Sequence, residues 1–153
     1  MGSQIELLRL ALAHSPENLP LVLLYAKACL DELQLGDARA AYSKAVHLDA
    51  NNVDAKLGLA KLAHLDGKTS EAAVRVEQII KEHPGTAAAH LFLSRIVAGE
   101  GELKRAKALY DETLRLDGNL TDPGLEKMLS GIKPSEPETP TSSPKSKALP
   151  PRG

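Results

Sequence analysis

The apolar positions between residues 53 and 66 cannot all lie on one side of a single element. In "KLGLAKLAHL", residues 56–65, Leu57, Leu59, Leu62 and Leu65 look like the start of an alternating strand. On a helix, Leu57 and Leu59 stand about 200° apart at about 100° per residue, so one core does not take both. Helical spacing separates two faces instead. Leu59, Ala60 and Ala63 follow i, i+1, i+4 and read as core, with Leu62 flanking towards a neighbouring helix. Leu57, Lys61 and His64 follow i, i+4, i+7 on the other side, with Leu65 at its margin.

The arrangement returns every 34 residues. At that spacing Leu57 falls on Leu91, Leu59 on Leu93, Gly67 on Gly101, Ala72 on Ala106 and Val76 on Tyr110. Stepping back by the same interval gives Leu23, Tyr25, Ala26, Ala38, Tyr42 and Ala45. Each copy reads as two amphipathic helices joined by a short turn. In the copy at 53–86, Asp66-Gly67-Lys68 is the turn, and Thr69 or Ser70 with Glu71 behind it caps the second helix. "HPGT" at 83–86 stops that helix, because Pro84 cannot continue the hydrogen-bond ladder. In the first copy Leu33 stands at the turn-glycine position and Gly36 follows three residues later, which predicts a longer first helix and a shorter turn.

These copies resemble the tetratricopeptide repeat over residues 19–120. Small residues stand where that family brings two helices close: Ala26, Ala60 and Ser94 on the first helix, Ala38, Ala72 and Ala106 on the second. Tyr42, Val76 and Tyr110 fall at the family's bulky position. Its leading Trp is replaced by Val22, Lys56 and His90, and its closing Pro is kept only at Pro84, with Ala50 and Gly118 in the other copies. The resemblance implies an all-α fold, a right-handed superhelical solenoid of antiparallel helix pairs. The expected domain spans 3–131: a partial repeat at 3–18, repeats at 19–52, 53–86 and 87–120, and a capping helix at 122–131. Ile5, Leu8, Ala11 and Leu12 form the stripe of the partial repeat; Leu125, Met128 and Leu129 form that of the cap, behind Asp122 and Pro123. Residues 132–153 are rich in Pro, Ser and Thr and read as a disordered linker or tail. Thr139-Pro140, Ser143-Pro144 and the minimal "PETP" are low-specificity patterns within it, and a plain spacer is the better reading. "KALPPRG" reads as mid-linker, which hints at a further domain after Gly153, an enzymatic or motor one being an example.

Composition narrows the function classes. Hydrophobic residues make up 42% of the 153, aromatics 3%, and there is no Trp, a balance that favours helix over strand. A formal charge of −1 lacks the electrostatic footprint of bulk binding to nucleic acid or to an anionic membrane. No apolar run is long enough to span a bilayer. The single Cys29 cannot form an internal disulfide and fits a reducing, cytoplasmic setting; its place beside Ala26 reads as a buried small hydrophobe. The five histidines, His14, His47, His64, His83 and His90, include no i, i+4 pair on one helix and read as solvated or helix-end residues rather than metal ligands. No phosphate loop, nucleophile elbow or carboxylate pair appears, so no cofactor and no enzymatic activity are expected of this chain.

The expected function lies on the first helix of each repeat. Leu23, Leu57 and Leu91 form one ladder at the 34-residue interval, Lys27, Lys61 and Arg95 a second, and Leu30, His64 and Ala98 a third. In the family this side lines the concave groove, so the resemblance implies a stripe of leucines flanked by cations. That composition suits an acidic protein or peptide segment with apolar anchors, recruited to a larger assembly. Family members that clamp a chaperone's C-terminal carboxylates use asparagines with basic residues. Here Lys27, Gly58 and Lys61 surround the places of those asparagines and Phe92 replaces a basic one, so such tails are not the expected ligand. The alternative reading is homo-oligomerisation through the leucine ladder or the terminal helices. Nucleic-acid binding comes third, because Phe92 is the nearest aromatic available for base stacking.

Overall fold

Small side chains at the helix crossings set how closely the helices of each pair approach. The computed structural model describes residues 4–132. Among them the chain forms eight α-helices and no strand: α1 (Gln4–His14), α2 (Leu19–Asp31), α3 (Leu35–Leu48), α4 (Val53–Leu65), α5 (Thr69–Glu82), α6 (Ala87–Gly99), α7 (Leu103–Leu116) and α8 (Pro123–Leu129). α2, α4 and α6 are the first helices of successive pairs, α3, α5 and α7 the second, and the pairs stack into a right-handed solenoid. The segment from residue 133 on, with Thr139 and Ser143, and residues 1–3 lie outside the described residues.

Ala26, Ala38, Ala60, Ala72, Ser94 and Ala106 are all completely buried. A serine at such a contact needs an acceptor, and Ser94 Oγ donates to the Ala106 carbonyl at 2.7 Å, tying α6 to α7. Tyr42, Val76 and Tyr110 fill the space beside these crossings. Between pairs, α4 approaches α3 closely at Gly58: a Cβ there would fall on the ring of Tyr42, so the contact requires a residue without a side chain.

The helix starts differ from the expectation. Asn18 and Asn52 cap α2 and α4, their Oδ1 atoms accepting from Leu21 N at 3.2 Å and Ala55 N at 2.9 Å. α5 has no such cap: Lys68 occupies the N-cap position, Thr69 is already helical, and Thr69 Oγ1 instead meets His64 Nδ1 at 3.2 Å. The helix ends also correct the sequence reading. α2, α4 and α6 each have 13 residues, and the three following turns are equally long. Leu33 takes the left-handed place held by Gly67 and Gly101, with φ of 59° against 85° and 87°. The hydrogen bonds match: Gln34 N donates to Cys29 O as Lys68 N does to Ala63 O and Glu102 N to Val97 O. The turn geometry therefore overrides the residue, and Leu33 accepts a backbone conformation that costs a leucine about 1–2 kcal/mol.

The core divides at α4. Ala55 and Leu62 belong with Ile5, Val22, Ala26, Cys29 and Tyr42, while Leu57, Ala60 and Ala63 belong with the apolar side chains of α5 to α8. Leu62, expected only to flank, is among the most deeply buried residues, and Leu59, expected in the core, is half-buried. α8 closes the C-terminal end with Leu125 and Leu129, whereas Met128, read as part of the same stripe, is about half exposed. Its N-cap Asp122 accepts from Leu125 N at 3.0 Å, and Tyr110 Oη bonds Glu126 and accepts from Asp122 N at 2.9 Å. Cys29 is buried, and burial pushes its thiol pKa up, which keeps it protonated and unreactive. His90 departs from the solvated reading: it is buried, with Nε2 at 2.9 Å from the Pro84 carbonyl.

Candidate functional site

The three cations of the ladder share one electrostatic neighbourhood on α2, α4 and α6. Lys61, on the middle helix, is half-buried, and its ammonium lies 6.0 Å from the centre of the Phe92 ring. Burial lowers its pKa below the ordinary lysine value, and the charges of Arg95 and Lys27 push it the same way, against weaker opposition from Asp31 and Asp54. The two outer cations have carboxylate partners: Lys27 pairs with Asp31 at 3.0 Å, and Arg95 with Asp122 at 2.7 Å. Lys61 has no ion pair and no hydrogen bond among the described residues. It is the half-buried, unneutralised charge at the centre of the row.

His64 stands one turn further along α4 and meets Phe92 edge-on, ring centres 5.7 Å apart. Phe92 itself is buried, so Lys61 and His64 both rest on it. An aromatic floor under a cation lowers the cost of leaving the charge partly dehydrated, which keeps Lys61 available.

The leucines behave differently from the expectation. Leu57 and Leu91 are 5% and 6% exposed and belong to the core that runs from α4 to α8, so they are not an open stripe. Their burial comes from packing into that shared core, a long-range effect that helical periodicity alone does not register. Leu23 and Leu30, on α2, are half-buried and keep part of their surface accessible. Ala98, on the third ladder, is also buried. The face is therefore a charged row over an apolar floor. Sequence reasoning names Phe92 only as the nearest aromatic for base stacking; its position four residues before the core residue Ile96 is the available signal for an aromatic floor beneath the cations.

No group of histidine, cysteine or carboxylate side chains among the described residues could hold a metal ion. None of the described helices is long and apolar enough to cross a membrane.

Residues 63–123 match the tetratricopeptide repeat family model. That stretch is similar to tetratricopeptide repeats, and the helical solenoid around it is tetratricopeptide-like in fold. Solved structures of such repeats superpose on it. TTC0263, a thermophilic tetratricopeptide-repeat protein of Thermus thermophilus, is 17% identical with a TM-score of 0.67, covering 82% of this chain and 69% of that one. The first tetratricopeptide domain of Spaghetti (RPAP3), bound to the HSP90 peptide SRMEEVD, is 16% identical with a TM-score of 0.60, covering 72% and 89%. The Yersinia enterocolitica type III secretion chaperone SycD, in complex with a peptide of the translocator YopD, is 17% identical with a TM-score of 0.60, covering 74% and 91%. At these identities the likeness is one of fold. No curated protein matches the sequence. The tetratricopeptide architecture places α2, α4 and α6 side by side, which is why residues 34 apart line up as Lys27, Lys61 and Arg95.

Proposed function

We propose that this chain is a non-catalytic protein-interaction module whose inner row, centred on Lys61, takes an acidic partner segment and recruits it to a larger assembly. The observation that carries this reading is Lys61 itself: half-buried, without an ionic partner, lying over Phe92 and pressed by two further cations. A carboxylate placed against it would relieve a charge the fold leaves uncompensated, and a charge-assisted hydrogen bond of that kind contributes roughly 1.5–3 kcal/mol. Leu23 and Leu30 offer apolar contact beside it, while Leu57, Leu91 and Phe92 supply the floor. Lys27 and Arg95 act as rim charges, since each must share itself with Asp31 or Asp122. The two fold neighbours that hold peptides support a peptide ligand as the class.

Selection from a randomised peptide display library tests the reading. Wild-type protein is expected to enrich segments with acidic residues and apolar anchors, with affinity falling as salt rises. Lys61→Glu is expected to weaken the selected peptides at least about tenfold, equivalent to about 1.4 kcal/mol, whereas Lys68→Glu in the exposed turn leaves them unchanged. Lys61→Met should also weaken them while raising thermal stability by roughly 0.5–1 kcal/mol, because it removes a dehydrated, unpaired charge. The pH dependence has a definite sign. Without ligand, folding favours neutral Lys61, so stability rises with pH between its lowered pKa and 10.5; an acidic ligand holds the proton, so its binding weakens across the same window. Enrichment of peptides lacking acidic residues, or unchanged binding by Lys61→Glu, overturns the proposal.

A further inference from the structure

The cationic row is accompanied by a row of acids, and the acid belonging to its middle rung is missing. Asp122 follows Arg95 by 27 residues and accepts from its Nε at 2.7 Å. At the same interval Asp54 follows Lys27, and Ala88 follows Lys61. Asp54, Ala88 and Asp122 stand 34 apart and are equivalent positions of the repeat. Only the middle cation therefore has a methyl group where its neighbours have a carboxylate.

The packing of α6 puts that methyl group beside Lys61. Ala88 lies one turn before Phe92, and residues at i and i+4 share a helix face. Phe92 is the residue that Lys61 approaches, its ammonium 6.0 Å from the ring centre. Ala88 is half-buried and packs against the core that runs from α4 to α8, so it forms a wall next to the cation. The acids whose charges act on Lys61 are Asp31 and Asp54, and neither forms an ion pair with it. Asp31 is held by Lys27 at 3.0 Å.

We propose that Ala88 is the specificity-determining residue of the inner row, leaving room beside Lys61 for one carboxylate of a partner segment that is otherwise uncharged. The inference rests on the reading of this row as a site for an acidic segment and narrows it. A partner carboxylate over Ala88 does for Lys61 what Asp122 does for Arg95. Further acids in the segment gain nothing comparable, because Lys27 and Arg95 already have partners. They meet Asp31, Asp54 and Asp122 instead, and like charges at such range disfavour association. The row therefore selects an isolated acid and rejects an acidic run.

Peptide arrays test this, with segments carrying no, one or several glutamates among uncharged residues, each with a blocked or a free C-terminus. Wild-type protein should hold single-glutamate segments at least about tenfold more tightly than those with none or several. Equal binding of a glutamate-free segment with a free C-terminus would assign the single carboxylate to a chain end and support the same selection. Ala88→Asp should weaken single-glutamate segments at least about tenfold, whereas Ala88→Asn, of equal size and without charge, should cost no more than about threefold. An NMR titration of the Lys61 side chain without peptide should show its pKa raised by Ala88→Asp and not by Ala88→Asn. Circular dichroism should be unchanged in both, since α4 already carries Asp54 in its first turn. Three results overturn the inference while Lys61→Glu still abolishes binding: unchanged binding by Ala88→Asp, equal losses in Ala88→Asp and Ala88→Asn, or tighter binding of segments with several glutamates. Binding that Lys61→Glu leaves unchanged overturns the functional reading and this inference together.

Discussion

The two ends of this solenoid solve the same problem in opposite ways. At the C-terminal end α8 lays Leu125 and Leu129 over the last pair and fixes itself with Asp122 to Arg95 and Glu126 to Tyr110. At the N-terminal end α1 is fixed by its inner side alone, and Leu7, Leu10 and Leu24 face outward. A repeat stack ends stably when its last apolar face meets a helix whose outer side is polar. α8 nearly meets that description and α1 does not, so a short capping helix closes a stack better than half a repeat does.

Substitution at the two ends should show the largest difference. Leu125→Ala with Leu129→Ala removes two buried side chains, each expected to cost roughly 2–4 kcal/mol in urea unfolding. Leu7→Ala with Leu10→Ala, at two exposed positions, should change stability by no more than about 0.5 kcal/mol. Equal losses at both ends would abolish the contrast. The turn after α2 gives a smaller effect at the open end. Leu33→Gly relieves a left-handed leucine and should raise stability by roughly 0.5–1 kcal/mol in thermal melts, the gain being reduced by the greater freedom of an unfolded glycine. Gly101→Leu, the reverse change at the equivalent turn, should lower it by a similar amount.

Acid should separate the ends by the smallest margin. The guanidinium of Arg95 holds the Asp122 carboxyl below its ordinary pKa of 3.8. A depressed carboxyl contributes stability that is present above that value and lost as pH falls through the lower, folded one. Amide exchange at Leu125 and Leu129 should therefore accelerate below about pH 4, and Arg95→Met should flatten that response. The effect is under about 1 kcal/mol, since the guanidinium is half exposed.

Residues 34 apart identify the pairs, the close crossings and the cationic row, because a repeat writes its equivalences directly into the sequence. Ala26, Ala60 and Ser94 can be matched with Ala38, Ala72 and Ala106 without coordinates. Which side of each equivalence meets solvent is not read so easily. Leu57 and Leu91 lie opposite the residues that pack within their own pair, and helical spacing alone assigns them to an open face. They are buried in the core shared by α4 to α8, through contacts between helices that the spacing within one helix does not report. Leu33 misleads for a different reason. Leucine is a poor left-handed residue, and a composition argument moves the turn to the nearby glycine, whereas the hydrogen bonds of Leu33 and Gln34 to α2 outweigh that preference. Lys61 stands out by its spacing, but its lack of a partner becomes apparent only once Lys27 and Arg95 are seen to have theirs.

The division of the core at α4 has an energetic consequence for the whole chain. The two halves meet across one helix, with Ala55 and Leu62 seated in one half and Leu57, Ala60 and Ala63 in the other. Cooperativity between the halves is therefore a nearest-neighbour coupling carried by the opposite sides of α4. Lys61 is a residue of that same helix. Neutralising it stabilises the one element both halves require, so the free energy of a contact at Lys61 is shared by α1 and α8 alike, although neither touches it.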